Sequence, residues 1–185
     1  MVRVAKWLLV LVCGVLVSGG GLADDKAKDD AKKDDKKDDK AFSDAEFVKK
    51  AAIGGMHEVA LGKIAAMQGK SDEVKKFGQK MVDDHSKAND ELKAAAKAAK
   101  LDVPDKMDAD HQKHIDHFKD LKGDDFDKEY IKHMVKDHEE DVAEFTKASK
   151  EAKDANIKDF ATKTLPVVQS HLDMLKKMDK GGKDK

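Results

Sequence analysis

Twelve residues occur twice in this chain, and they limit what it can fold into. Met81-Val82-Asp83-Asp84-His85 runs on to Glu91-Leu92, and Met134-Val135-Lys136-Asp137-His138 runs on to Glu144-Phe145. Apolar residues recur in both at three- and four-residue intervals, the period of a helix with one buried stripe. In each copy the histidine falls inside that stripe. The fold must therefore bury two imidazoles along with the usual aliphatic residues.

Composition says what surrounds these helices. The chain is 41% charged and 5% aromatic, with two prolines in 185 residues, and Lys, Ala, Asp and Glu dominate. That balance with a helical period indicates an all-α protein of one domain with appendages. The near-cancelling charges give no basic excess for nucleic acid and no acidic block. Residues 1–23 have the plan of a signal peptide: Arg3 and Lys6, an apolar run from Trp7 to Val17, then Gly21-Leu22-Ala23 as a cleavage site. The run is too short to span a bilayer, so no stable membrane insertion is expected after cleavage. Cys13, the only cysteine, lies in this segment behind Val12, where a lipoprotein signal needs a small residue. The exported chain then has no thiol chemistry and no disulfide. It keeps 35 of the 37 basic residues against 38 acidic ones, a net charge of −3. Residues 24–41, nearly all Asp and Lys, have nothing apolar to bury and read as a disordered, solubilising tether.

The bundle domain is expected over residues 42–178. Helix one runs from Ser43 to Met67, opened by the capping box Ser43-x-x-Glu46. At 100° per residue, Glu58 falls among its apolar residues, whereas His57 falls on the polar side with Lys49, Lys50, Lys63 and Gln68. Gly54, Gly55 and Gly62 sit beside Glu58; mid-helix glycines cost about 1 kcal/mol each relative to alanine, so they point to close approach of a helix or a ligand. Helix two follows Gly69-Lys70-Ser71 and runs to Lys100, with His85 in its stripe, Asp84 at the edge, and Asn89 one turn on to hold the second ring nitrogen of His85. A shorter helix, Asp105 to Lys122, crosses over, with Met107, His114, Phe118 and Leu121 inward. Its His111, His114 and His117 could bind a surface metal ion but fit a polar face of an amphipathic helix better. Helix three, from Asp124 or Asp125 to Ala152, carries Tyr130, His138 and Asp141. Helix four, from Asp154 to Met178, carries His171 in its stripe and Pro166 opposite, where a kink is expected. Residues 179–185 read as a disordered tail. Two hairpins joined by a long connection make a ferritin-like antiparallel four-helix bundle.

Depth brings the polar residues together. Glu58 lies twelve residues before Lys70 in the first turn and His85 fifteen after it; His138 lies sixteen before Asp154 in the second turn and His171 seventeen after it. At about 1.5 Å per residue, each antiparallel pair meets at nearly one level. One carboxylate and three imidazoles, with Asp84, Asn89, Tyr130 and Asp141 around them, suit zinc, iron, copper or manganese. They equally suit a hydrogen-bonded polar network that only fixes helix register. No nucleophile or phosphate loop is present, so only a metal-activated water could supply chemistry, and an enzyme is the third choice.

Ala51-Ala52-Ile53-Gly54-Gly55-Met56-His57-Glu58-Val59, the two Met-Val-x-Asp-His motifs, Phe126-Asp127-x-x-Tyr130, and Thr164-Leu165-Pro166 with His171 resemble one family in order, over Phe42 to Met178. It is the exported bacterial family catalogued as domain of unknown function 4142. The resemblance implies a ferritin-like bundle in the periplasm or cell envelope. Members are often labelled outer-membrane proteins, but no spanning-strand pattern occurs here. Ferritin-like di-iron proteins use two Glu and two Glu-x-x-His motifs. This chain has no Glu-x-x-His, and histidines stand where carboxylates would be, which argues against oxygen activation and for a mononuclear site. The reading is an exported bundle that binds a metal ion or small ligand in envelope stress or metal handling; the rival is a non-catalytic module that contacts envelope components.

Overall fold

The computed structural model describes residues 41–181. The expected signal peptide, the tether up to residue 40 and tail residues 182–185 lie outside the described residues. Five helices follow in order: α1 (Asp44–Gln68), α2 (Asp72–Ala98), α3 (Ala109–Asp120), α4 (Gly123–Glu151) and α5 (Ala155–Gly181). Helix α5 runs three residues past Met178, so the first part of the expected tail is helical. Pro166 lies inside α5 on its exposed side, where its missing N–H is least costly.

Local chemistry sets the boundaries. Ser43 caps α1 by accepting from the Glu46 N–H, and Ser71 caps α2 by accepting from Val74. Asp108 caps α3 through the N–H groups of Asp110 and His111, which starts that helix four residues later than Asp105. α4 begins instead at Gly123, whose φ of +61° is open to glycine without strain.

α1 packs along α2 and α4 along α5; α2 then lies beside α5 and α1 beside α4. One apolar cluster joins Leu61 and Ala65 near the end of α1, Val74 and Phe77 near the start of α2, Phe126 and Tyr130 near the start of α4, and Leu175 near the end of α5. Every neighbouring pair is therefore antiparallel, and the diagonal partners α2 and α4 run the same way. A second cluster, with Phe47, Leu92, Phe145 and Phe160, fills the other end. Return from the far end of α2 to the near end of α4 needs a long connection, and α3 supplies it while packing on α1.

α3 buries Ile115 and Phe118, whereas His114 is exposed and Met107 and Leu121 are only half-buried. Phe118, Met107 and Leu121 thus pack on the core as expected, and the correction is that Ile115 takes the inward place expected of His114, because α3 lies on the outside of the bundle and buries only an edge. Gln68 ties it down, donating to the carbonyls of Phe118 and Leu121 at 2.7 and 3.2 Å.

Two aspartates join the hairpins reciprocally. Asp127, near the start of α4, accepts from the backbone N–H groups of Lys70 and Ser71 in the α1–α2 turn, both at 2.8 Å. Asp44, at the start of α1, accepts from those of Lys153 and Asp154 in the α4–α5 turn at 2.7–3.1 Å.

The glycines divide by role. A Cβ on Gly78 would lie 2.6 Å from the Ala66 nitrogen and 2.7 Å from the Gly62 carbonyl oxygen, so α1 and α2 touch backbone to backbone here. A Cβ on Gly55 would collide with Asn89, and one on Gly54 would meet nothing within 4 Å. Gly78→Ala should therefore cost about 1–3 kcal/mol by overpacking. Gly54→Ala should be neutral or stabilise by up to about 1 kcal/mol through helix propensity. Urea midpoints of the two variants check both signs.

Candidate metal centre

Between the two apolar clusters lies a polar layer. Glu58 from α1, His85 from α2, His138 from α4 and His171 from α5 are all buried, at 0–6% exposure. Each sits in its helix where the surrounding stripe is apolar, so none can turn to water without unwinding a packed face. Glu58 Oε2 lies 2.9 Å from His85 Nδ1. His85 Nε2 lies 3.3 Å from His171 Nδ1, and His171 Nε2 lies 2.7 Å from Asp84 Oδ2. His138 Nδ1 donates to the Met134 carbonyl at 3.0 Å, and its Nε2 faces Glu58 Oε1 at 3.6 Å.

One direction of proton donation satisfies this chain. Burial pushes Asp84 up, but hydrogen bonds from Lys80 and His171 outweigh it and hold the carboxyl below its usual range. Asp84 therefore accepts, and His171 donates from Nε2. Nδ1 of His171 then accepts from His85 Nε2, which leaves His85 Nδ1 an acceptor and requires Glu58 to carry the proton. Burial pushes Glu58 up to about 8, against a hydrogen bond to Asp141 and with the charge of Asp137 adding to the rise. Asp141 is itself raised, first by burial and then by Glu58. The imidazoles move the other way. Burial lowers His85 and His171 to about 4 and His138 to about 3, so all three are neutral at pH 7.

The layer is not fully satisfied. His138 Nε2 is buried without a hydrogen-bond partner, as is the Tyr130 hydroxyl. With the proton on Oε2, Glu58 Oε1 is an acceptor; with Nδ1–H donated to Met134, so is His138 Nε2. These two acceptors face each other at 3.6 Å and cannot bond to one another; Glu58 has Asp141 as a hydrogen-bond partner, whereas His138 Nε2 has none. One ligand atom each from His85, His138 and His171 lie within 4.8 Å of one another, and the same holds for Glu58, His138 and Asp141. A cavity of about 20 Å³ adjoins, lined by Glu58, His85, Asn89 and Asp141 among others; about 10–15 Å³ suffices for a water.

The surrounding residues take roles that sequence reading places only in part. Asp84 orients His171. Asp141 hydrogen-bonds Glu58, and its carboxyl joins Glu58 and His138 in one group of ligand atoms. Asn89 does not hold His85, whose two nitrogens face Glu58 and His171; it fills the space left by Gly55. Tyr130 stacks on Phe126, with centroids 5.6 Å apart, and Glu58 adds to the burial that raises its pKa.

The clearest correction concerns His57. The wheel puts it on the polar side of helix one, yet it is 2% exposed. α1 is covered on three sides, by α2, α4 and α3, and α3 lies over the face that holds His57 and Gln68. His57 meets His111, His114 and His133 there. Sequence reading missed His133 altogether; the available signal was its i, i+4 spacing to Asp137, 3.2 Å away. His117 stands apart from this group and pairs with Glu129.

The sequence profile described as Domain of unknown function (DUF4142) matches residues 25–178. The chain belongs to this family. Among solved structures, this DUF4142 chain is similar to the Cu(II)-bound form of CopM, with TM-score 0.64 and 16% identity over 77% of this chain and 99% of that one. The Cu(I)-bound and silver-bound forms of CopM match with TM-score 0.62 and 16% identity over 76% and 97%. At this identity the likeness establishes the shared helical fold. No curated protein matches the chain. Among the described residues, no helix is long and apolar enough to cross a membrane.

The pKa shifts fix how the metal-free fold responds to pH. The lowered histidines bind fewer protons folded than unfolded between about 4 and 6.5, so stability rises with pH across that window. Glu58 binds more protons folded than unfolded between 4.5 and about 8, so its contribution falls as pH rises. Below pH 6.5 the several histidines outweigh Glu58; above it Glu58 acts without them. Urea unfolding of the metal-free protein should show maximal stability near pH 6.5, a steep loss toward pH 4 and a shallower loss toward pH 8.

Proposed function

We propose that this chain is an exported metal-binding protein that holds one transition-metal ion in the polar layer, with Glu58, His85, His138 and His171 as ligands. The buried His138 Nε2, an acceptor with no donor that faces Glu58 Oε1 at 3.6 Å, carries the reading. Leaving a buried acceptor unmatched costs about 1–3 kcal/mol, and a cation offers that nitrogen, and the Glu58 oxygen beside it, a partner. Neutral imidazoles with a carboxylate suit copper, zinc and iron, and copper binds N/O donors most tightly among the divalent ions. The copper- and silver-bound forms of the structurally similar CopM make copper the first ion to test. A bound ion would supply a Lewis-acidic centre; the chain would supply position through Asp84 on His171 and Met134 on His138. Export rests on Arg3, Lys6, the Trp7–Val17 run and Gly21-Leu22-Ala23, and metal handling in the envelope is the role that fits both.

A second reading has its own observation. The chain Glu58–His85–His171–Asp84 is hydrogen-bonded throughout with one consistent proton order, as a purely structural network would be. In that case the exposed charges and the tether would do the work, through contacts with envelope components.

Elemental analysis and copper titration of tag-free protein separate the two. The metal reading expects His138→Ala to lose one bound ion per chain, with affinity falling as pH drops below 8 and Glu58 regains its proton. Absence of bound metal, and of any thermal shift with copper, zinc, iron or manganese, would leave the network reading. His138→Ala would then register only as lower stability.

A further inference from the structure

We propose a second metal site, formed by His57 of α1, His114 of α3 and His133 of α4, that takes a divalent transition-metal ion directly from solvent. It goes beyond the polar-layer site and shares no ligand with it. One nitrogen from each of the three rings lies within 4.8 Å of the other two. Three different helices contribute, so the cluster is tertiary and not an accident of one helix face. The rings pack closely: His57 and His133 at 5.6 Å between centroids, His114 and His133 at 5.2 Å, His57 and His114 at 5.9 Å.

Two observations point to a ligand rather than to ring packing alone. Buried His57 keeps Nε2 without a hydrogen-bond partner. Asp137 stands behind His57 and His133, with Oδ2 3.2 Å from His133 Nε2 and 3.8 Å from His57 Nδ1. A carboxylate beside the imidazoles orients the rings and offsets the charge of a bound cation. A fourth imidazole is at hand. His111 has Nδ1 2.7 Å from Asp108 Oδ1, and its centroid is 4.9 Å from His57.

Access separates this site from the polar layer. His114 is exposed and His133 half-buried, and a surface groove lined by Asp125, Glu129, Lys132 and His133 opens beside them. Binding at 2.0–2.1 Å to three nitrogens requires them about 3.3 Å apart. The short α3, held by non-helical segments on both sides, is the element that can close that distance.

Zinc is a suitable probe because it favours imidazoles and has no redox chemistry. Equilibrium dialysis of tag-free protein against Zn(II), with circular dichroism to verify folding, should give two ions per chain. The double variant His114→Ala/His133→Ala should lose one, and His85→Ala/His171→Ala should lose the other. Unchanged stoichiometry in His114→Ala/His133→Ala overturns the second site whatever the polar layer does. A single ion lost only in that variant upholds the second site and counts against the polar-layer reading. A single ion lost only in His85→Ala/His171→Ala, or no zinc bound at all, overturns the second site.

Discussion

Everything in this bundle accommodates one buried carboxyl group. Glu58 lies between two apolar clusters, and an unpaired carboxylate there would be prohibitively expensive. The fold answers by keeping the proton on it and surrounding it with imidazoles that burial holds neutral. Charge is confined to the rim, at the Asp84–Lys80 pair and at the Asp137 carboxylate. The result is a layer of neutral groups whose lone pairs outnumber their protons, the condition under which a buried cation is welcome.

The repeated motif explains how such a layer arises from ordinary helices. Its two copies lie on α2 and α4, which are parallel and diagonal rather than partners in one hairpin. Equal positions in the motif therefore reach equal depth from opposite corners, and His85 and His138 meet with centroids 5.7 Å apart. The preceding aspartates face outward in opposite directions, Asp84 toward His171 and Asp137 toward His57 and His133. One motif thus serves the inner layer with its histidine and the flanks with its aspartate.

Helical period and turn spacing made much of this legible. The all-α bundle, the crossover helix and the meeting of Glu58 with His85, His138 and His171 follow from stripes and depth, which depend on local geometry alone. What escaped depends on which helix covers which face. His57 reads as polar because a wheel assumes one buried side, and α1 has three. His114 reads as inward because an outlying helix buries only an edge. Asn89 is one turn from His85, but the absent side chain of Gly55 gives it somewhere else to go. None of these is a failure of periodicity; each is a packing choice between elements distant in sequence.

The reciprocal aspartates have a mechanical consequence. Asp127 grips the α1–α2 turn at one end of the bundle and Asp44 grips the α4–α5 turn at the other. A hairpin pinned at one end could pivot, with a small rotation swung by the long helices into a large displacement at mid-length. Pinned at both ends, it cannot tilt as a rigid body, and only bending of the packed helices can displace its middle. That is where Glu58 and the three histidines sit, so the tolerance on their spacing is set by contacts at the far tips of the molecule.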